Sequence, residues 1–594
     1  MKLDKLWISE FKNLKDIEID FDQNELVTVV IGWNGAGKSN VIEALVIIFR
    51  DLDLQIAPSF SYKLEYLCRG NRVVIDAKDT TIKKEQYKVL VHTFSDPEKV
   101  ITNKYTEFFS DKTRHYLPSN VFGYYSGPSD RLATHFYEHQ RKFRDQLLYP
   151  EKHGLTEKTL PLRPLFYAQK VHSNFVLLSF FLGADEKVKK FLKEKLFIEG
   201  IESVLFVLNK PDWTSKKGDS RFWNATGVVR PFLDRLFSAS LAPMRKKIKV
   251  PHPMKKSPDN VDALFLYLKD LDALKQVGEK TSDKDFFKLL ESIYFSNLIH
   301  EVRIRVKVKN KNGTDESLTF RELSEGEQQL ITVLGLLRFT RDDESLFLLD
   351  EPDTHLNPAW SMEYINFLKE VAGFNLDANK EKAASGAVDN SHIVLATHDP
   401  IVISTLKQEQ IKIMKRDEDS LQVFAASPLY EPKGMGFSGI LMSDMFGLRS
   451  DLDPKTLEKL DEHAILLAKE ERTDQEEARY KELQEQLDKS GFLDAYSDPY
   501  FSAFVKAWVR KHGDKLFKQT FLSDRDRQQL ADMTDDILAE LDEEEKQEQN
   551  HEVVDSASAE NALLEAIFTP SKKDLKDDNV MPGPLDLEDG EASE

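Results

Sequence analysis

The 594-residue chain carries 82 basic and 102 acidic side chains, a formal charge of −20, with 41% apolar residues and 38 phenylalanines. That apolar content excludes a disordered chain, and the length allows more than one domain around large cores. No apolar run is long enough to span a bilayer: the richest, Phe175 to Leu182, soon meets Asp185, Glu186 and Lys187.

Met1-Lys2-Leu3-Asp4-Lys5 lacks the pattern of a secretion signal, and the single Cys68 cannot form an internal disulfide and reads as a buried thiol. The expectation is a cytoplasmic protein with no membrane partner. The charge is uneven, since residues 541–594 hold 17 acidic and 4 basic side chains, a balance of −13 that leaves −7 for the first 540. Global acidity therefore does not exclude a basic surface on the folded part.

In chain order, Leu3 to Ile8 alternates, and Phe11, Leu14, Ile17, Ile19 and Phe21 follow, which predicts two short strands around a turn. Leu26 to Ile31 is an apolar strand, and the density of apolar residues from Val41 to Phe49 predicts a buried helix beyond the intervening glycines. Val73 to Ile75, Tyr87 to Phe94 and Val121 to Tyr125 are further strand candidates. Residues 131–300 read as a mainly helical insertion, with helices over Val171 to Phe181, Lys187 to Leu196 and Asn260 to Leu274. No sustained heptad appears, so a compact arm is expected rather than a long coiled coil. Glu301 to Val308 alternates up to the turn Lys309 to Gly313, a hairpin that returns the chain to a sheet.

Strands recur at Leu346 to Leu349, His392 to Ala396 and Ile411 to Lys415, with helices over Glu325 to Phe339 and Trp360 to Phe374. Asp377 to Asn390 reads as a polar loop, and Leu457 to Leu487 as a polar helical pair. The expected division is a head in two halves, 1–130 and 301–436, around the insertion 131–300. A helical partner-docking region, 437–540, and an acidic disordered tail, 541–594, follow. A short helix over Ala559 to Phe568 is expected within that tail.

Gly32-Trp33-Asn34-Gly35-Ala36-Gly37-Lys38-Ser39 matches GxxxxGK[ST], with a strand before it and a helix after it. The glycines Gly32, Gly35 and Gly37 let backbone N–H groups point at phosphate oxygens, with Asn34 and Asn40 in the same nucleotide-binding stretch. Lys38 neutralises the outer phosphates of ATP, Ser39 holds Mg²⁺ through its hydroxyl, and the helix N-terminus adds a favourable field. Asp350 ends an apolar strand and is the second Mg²⁺ ligand, while Glu351 is placed to polarise the attacking water. Thr397-His398-Asp399 ends another strand, which makes His398 a sensor of the terminal phosphate.

These residues carry a resemblance. Leu323-Ser324-Glu325-Gly326-Glu327-Gln328-Gln329 looks like the signature of ABC-type ATPases of the RecF, SMC and Rad50 branch, with Glu325 where a glycine is usual. Asp350-Glu351-Pro352, Thr354 to Pro358 and Thr397-His398-Asp399 resemble the family's acidic strand end, following loop and switch histidine. The resemblance implies an α/β P-loop NTPase head with a helical insertion and a helical C-terminal region. It also implies that Ser324, Gly326 and Glu327 serve the nucleotide of an opposite head, so that ATP joins two copies. The glutamine that places metal and water in this family has two candidates, Gln86 and Gln169, and the Tyr124-Tyr125-Ser126-Gly127 strand end is a third contributor to weigh.

Leu441 to Leu448 and Asp498-Pro499-Tyr500-Phe501 further resemble segments of bacterial antiphage-defence ATPases of the Septu and retron-associated kind. That likeness implies an HNH-type nuclease partner and a regulatory ATPase cycle, with DNA or phage nucleic acid as a further partner. A RecF-like repair ATPase is the alternative, and slow turnover with ATP as an assembly ligand a third reading.

Overall fold

Every residue of Val27–Gly32, Ser345–Asp350 and Ser391–Ala396 is buried, as expected of strands covered on both faces. The computed structural model describes residues 1–546 apart from 94–95, 104–107, 110–114, 184, 214–217, 251–257, 310–314, 341–342, 372–390, 418–419, 470, 491–498, 517–521 and 544–545. The chain opens with the hairpin β1 (Lys2–Phe11) and β2 (Leu14–Asp20), then enters β3 (Val27–Gly32) and the helix α1 (Lys38–Leu54). A meander follows: β4 (Tyr62–Cys68), β5 (Asn71–Ala77), β6 (Tyr87–Thr93) and β7 (Asp96–Asn103). It joins the hairpin in a six-stranded antiparallel sheet ordered β2-β1-β4-β5-β6-β7.

β8 (Asn120–Tyr125) and β9 (Leu165–Tyr167) return to the sheet of β3. Then β10 (Ile198–Asn209), β11 (Leu241–Val250), β12 (Asp259–Leu268), β13 (Ile299–Lys309) and β14 (Asp315–Thr319) form a five-stranded antiparallel sheet ordered β11-β12-β10-β13-β14. β15 (Ser345–Asp350), β16 (Ser391–Ala396), β17 (Ile411–Arg416) and β18 (Val423–Ala426) complete a seven-stranded sheet ordered β18-β17-β3-β16-β15-β8-β9. β18 pairs antiparallel with β17, and the strands from β17 to β9 run parallel.

Alternate residues of the parallel strands feed two cores. Val30, Leu346, Leu348 and Val394 pack in one with α1 and the six-stranded sheet. Val29, Phe347, Leu349 and Leu395 pack in the other, with the helices Val171–Leu182 and Glu325–Phe339 and the inner face of the five-stranded sheet. Phe122 of β8 stacks on Phe347 at 4.6 Å between centroids. Most positions of these strands are apolar because each side chain reaches one core or the other, the polar exceptions being Thr28, Ser345, Asp350, Ser391 and His392. Cys68 is buried there as a free thiol, and burial pushes it up to about 12.

The insertion is mainly helical and carries strands as well. Its helices Val171–Leu182 and Glu186–Lys195 stand where expected, but residues 131–300 also hold β9 to β12 and the start of β13. Asn260 to Leu274 divides into β12 and a short helix, Leu271–Val277. Apolar runs such as Val204 to Leu208 carry no helical or strand period of their own, so their partners decide. The hairpin of β13 and β14 joins the five-stranded sheet, and Tyr62–Cys68 is a strand that the sequence did not announce. The first compact unit runs to Asp451, past the expected boundary at 436, and holds the helix Gly436–Met442.

The second unit begins at Leu452. Its helices Pro454–Ala468 and Asp474–Asp488 are joined by the Arg479–Glu462 ion pair at 2.8 Å and by His463 stacked on Tyr480. A third helix, Pro499–Leu516, follows Asp498. The expected polar loop Asp377 to Asn390 and the helix Ala559 to Phe568 lie outside the described residues, as does most of the acidic tail.

One buried ion pair braces the insertion from within. Arg163 and Glu291 are both fully buried and meet at 2.6 Å, with the guanidinium 4.4 Å from the Phe166 ring and 4.2 Å from that of Phe295. Asn120 of β8 donates to the Arg163 carbonyl at 2.9 Å. Removing one partner of such a pair strands the other charge, so Glu291→Ala should cost roughly 3 to 5 kcal/mol. A denaturant titration of the full chain checks this; a loss within about 1 kcal/mol would show that the pair does not hold the insertion.

Candidate active site

The register of the parallel strands brings distant residues to one edge. Asp350 lies beside Ala396, and Ala396 beside Val30, so the segments after β15, β16 and β3 leave the sheet at the same carboxyl end. Open parallel sheets bind ligands at that end. The three motif-bearing strands are immediate neighbours.

The phosphate loop bends through Gly37, whose φ of 97° is in the left-handed region that side chains disfavour. A Cβ there would also sit 2.7 Å from Leu14. Asn34 and Gly35 are exposed, whereas Lys38 is only 6% exposed and donates from Nζ to the Gly32 carbonyl at 2.8 Å. Burial lowers the Lys38 pKa, opposed by the carboxylates of Glu351 and Asp350. The Ser39 hydroxyl donates to Asp350 Oδ1 at 2.9 Å, across 311 residues of chain. A hydroxyl and a carboxylate so close, at the mouth of a phosphate loop, are a donor set that fits Mg²⁺.

Asp350 is 2% exposed, and burial lifts its carboxyl to about 6 against the Ser39 hydrogen bond, with Glu351 adding repulsion. Glu351 has φ 53°, an uncommon value for a non-glycine residue, and its N–H donates to the Ala396 carbonyl at 2.8 Å. That bond fixes a kink where β15 ends. Glu351 Oε1 then lies 3.3 Å from His398 Nδ1, so the sequence-predicted base and sensor are in contact. Beneath them Asp353 accepts from the Thr397 hydroxyl, and burial lifts Asp353 to about 6 as well.

Ser324, Gly326 and Glu327 occupy a different place. Ser324 is exposed and caps the helix Glu325–Phe339, its hydroxyl oxygen accepting from Glu327 N–H at 3.2 Å while the Glu327 carboxylate accepts from Ser324 N–H at 2.7 Å. Gly326 is required by close approach, since a Cβ would sit 2.3 Å from the His355 carbonyl oxygen. The cap thus rests on the loop after Glu351, with its hydroxyl at the surface.

Several contributors escaped sequence reading. Asn13, in the turn after β1, donates to the Gly35 carbonyl at 2.8 Å and accepts from Asn40 at 2.6 Å. Arg131 donates to Asn40 at 2.7 Å and to Glu43 at 2.7 Å. Burial would raise Glu43, but hydrogen bonds from His135, Lys12 and Arg131 outweigh it and hold the carboxyl at about 2. No local pattern marks these residues, because each acts across a sheet or a helix.

Of the open candidates, Ser126 enters the site edge, its N–H donating to the Asp350 carbonyl at 3.3 Å and its hydroxyl 3.2 Å from that of Thr354. Gln169 lies beyond β9, where its side-chain oxygen accepts from Tyr294 at 3.1 Å. Gln86 is tied to the Thr80 carbonyl beside the six-stranded sheet.

Two family models match the chain: "AAA ATPase domain" over residues 1–198 and "AAA domain, putative AbiEii toxin, Type IV TA system" over residues 219–404. Septu protein PtuA of Bacillus mycoides is 25% identical over 210 residues, which is 34% of this chain and 27% of that protein, so the match spans about a quarter of its length. "Retron Vc95 probable ATPase" of Vibrio cholerae is 20% identical over 472 residues, 74% of this chain and 78% of that one. DNA replication and repair protein RecF of Lactobacillus acidophilus is 47% identical over 45 residues, 8% of this chain and 12% of its own. No helix among the described residues is long and apolar enough to cross a membrane.

The raised Asp350 carboxyl has a thermodynamic consequence. Above about pH 6 the folded state holds a buried charge that the unfolded state, at 3.8, carries more cheaply; the penalty is about 3 kcal/mol and vanishes below pH 3.8. Asp350→Asn should therefore raise the melting temperature of the nucleotide-free protein at pH 8, and the gain should shrink as pH falls toward 4. Melting curves across that range check it; a loss of stability at pH 8 would contradict the account.

Proposed function

We propose that the chain carries an ABC-type ATPase head, related in sequence to Septu and retron-associated ATPases, and that two copies close around ATP to control a nuclease partner in antiphage defence. The Ser39–Asp350 contact supports the nucleotide half of this reading, because it joins a phosphate loop to an acidic strand end. Backbone N–H groups from Asn34 to Asn40 cradle the phosphates, and Gly32, Gly35 and Gly37 permit the turn. Lys38 exchanges the Gly32 carbonyl for the outer phosphates. A magnesium ion held by Ser39 and Asp350 would supply positive charge to the phosphate oxygens. Glu351 orients and polarises the attacking water, and His398 positions Glu351 while contacting the terminal phosphate.

Ser324 and the N–H groups at Gly326 and Glu327 serve the nucleotide of a second copy. The exposed hydroxyl at a helix N-terminus supports this, since such an end favours an anion. The helical unit from Leu452 is the docking region for an HNH-type nuclease, and DNA or phage nucleic acid is the activating partner. The protein acts in the cytoplasm. The RecF match favours a second reading, a repair ATPase that organises partners on DNA.

Three variants separate the steps. Lys38→Ala should lose most nucleotide binding, read by titration with a fluorescent ATP analogue. Glu351→Gln should bind ATP yet turn over at least about 100-fold more slowly, and should accumulate as a dimer in light scattering. Ser324→Arg should keep ATP binding and lose that dimer. Unchanged turnover in Glu351→Gln would remove it as the base, and an ATP-dependent dimer of Ser324→Arg would remove the shared site. Purification with neighbouring gene products and a nuclease assay tests the defence role, whereas turnover stimulated by DNA ends would favour repair.

A further inference from the structure

The five-stranded sheet has one face in the core and one toward solvent. Val204, Phe206, Leu264, Leu266, Ile304 and Val306 point inward. Pairing registers define the opposite face: Leu241 of β11 lies beside Tyr267 of β12, Tyr267 beside Leu205 of β10, and Leu205 beside Arg303 of β13. The next row sets Met244 beside Phe265, and Phe265 beside Val207. Tyr267 is 39% exposed, Leu241 58% and Met244 53%, so these three form an uncovered apolar patch beside the half-buried Leu205 and Phe265, while Val207 is buried.

A row of cations borders that patch. Arg303, Arg305 and Lys307 alternate along β13 on the outer face, about 6.7 Å apart. The arginine side chains are 54% and 58% exposed. Counter-charge is scarce, since Glu301 is shared between Arg303 and Arg321 at 2.7 Å each, and Glu202 stands 3.8 Å from Arg305. Lys307 faces Ser317 of β14 and Gly200 of β10, neither of them acidic.

We propose that this face binds single-stranded nucleic acid, with bases stacked on Tyr267 and Phe265 and phosphates on Arg303, Arg305 and Lys307. Tyr267 and Arg303 share one cross-strand row two strands apart, about 10 Å, with Arg305 and Lys307 continuing along β13 and Glu301 in the row of Phe265, which suits a strand laid with its backbone along β13. The repeat of the cations along β13 is similar to the phosphate step of an extended strand. A duplex hides its base faces and would leave Tyr267 uncovered. An apolar protein surface would bury cations that share two carboxylates, which is costly. An unstacked polyanion meets both the aromatic groups and the cations.

This surface gives the proposed nucleic-acid partner a location and stands apart from the nucleotide site, so Lys38→Ala should bind oligonucleotide as the wild-type chain does. The test is fluorescence anisotropy of a labelled oligothymidylate with the full chain at several salt concentrations. Tyr267→Ala should weaken binding roughly tenfold while ATP turnover is unchanged. Three phosphate contacts predict a log–log salt slope of about −2, and each of Arg303→Ala, Arg305→Ala and Lys307→Ala should reduce its magnitude by about 0.7. Lys190→Ala, on the exposed face of the helix Glu186–Lys195, should change nothing. Absence of binding by the wild type, full affinity in Tyr267→Ala, or equal affinity for a duplex would each overturn the proposal.

Discussion

The parallel register of β3, β16 and β15 is the constraint on which the site depends. It sets Val30 beside Ala396 and Ala396 beside Asp350, and so delivers Ser39, His398 and Glu351 to one edge from three remote parts of the chain. A slip of one residue would turn every side chain of a strand to the other face. Here both faces are packed with apolar residues, so the slip would disturb two cores at once. The position of a hydroxyl 2.9 Å from a carboxylate is thus secured by hydrophobic packing along the strands rather than by the contact itself.

That security allows the site to hold groups in unfavourable states. Lys38 has its pKa lowered by burial, Asp350 and Asp353 are both lifted to about 6, and Glu351 sits at positive φ. Such groups cost stability in the nucleotide-free protein and are suited to a ligand that brings opposite charge and metal. The loop itself is braced from outside by Asn13, Asn40, Arg131 and Glu43, whose hydrogen bonds link the turn after β1 to the start of α1 and to the segment beyond β8. These side chains stiffen the phosphate loop without using its N–H groups.

The insertion is part of the head's core rather than an appendage. Its strand β9 joins the parallel sheet, its helices cover one face of β3 and β15, and the Arg163–Glu291 pair is sealed between aromatic rings. The same strands that close this core leave Tyr267 and Leu241 uncovered on their outer side. One sheet therefore both supports the nucleotide site from within and presents a surface outside it. Movement of the head would be felt through a continuous packed layer.

Sequence alone singled out Gly32 to Ser39, Asp350 and Glu351 as candidates, because phosphate and metal binding demand particular residues at fixed local spacing. It also determined the buried parallel strands and the capped helix at Ser324, since a mostly apolar run and a Ser-x-x-Glu box are local properties. Tertiary structure decided the rest. The strands β10 and β12 took their state from sheet partners rather than from any period in their residues, which is why a helical insertion was expected there. Asn13, Arg131 and Ser126 became site residues only once folding set them beside Asn40, Glu43 and Asp350. Local motifs can specify what a residue is able to do; which neighbours it meets across hundreds of residues is set by packing and register, and no window of sequence contains that.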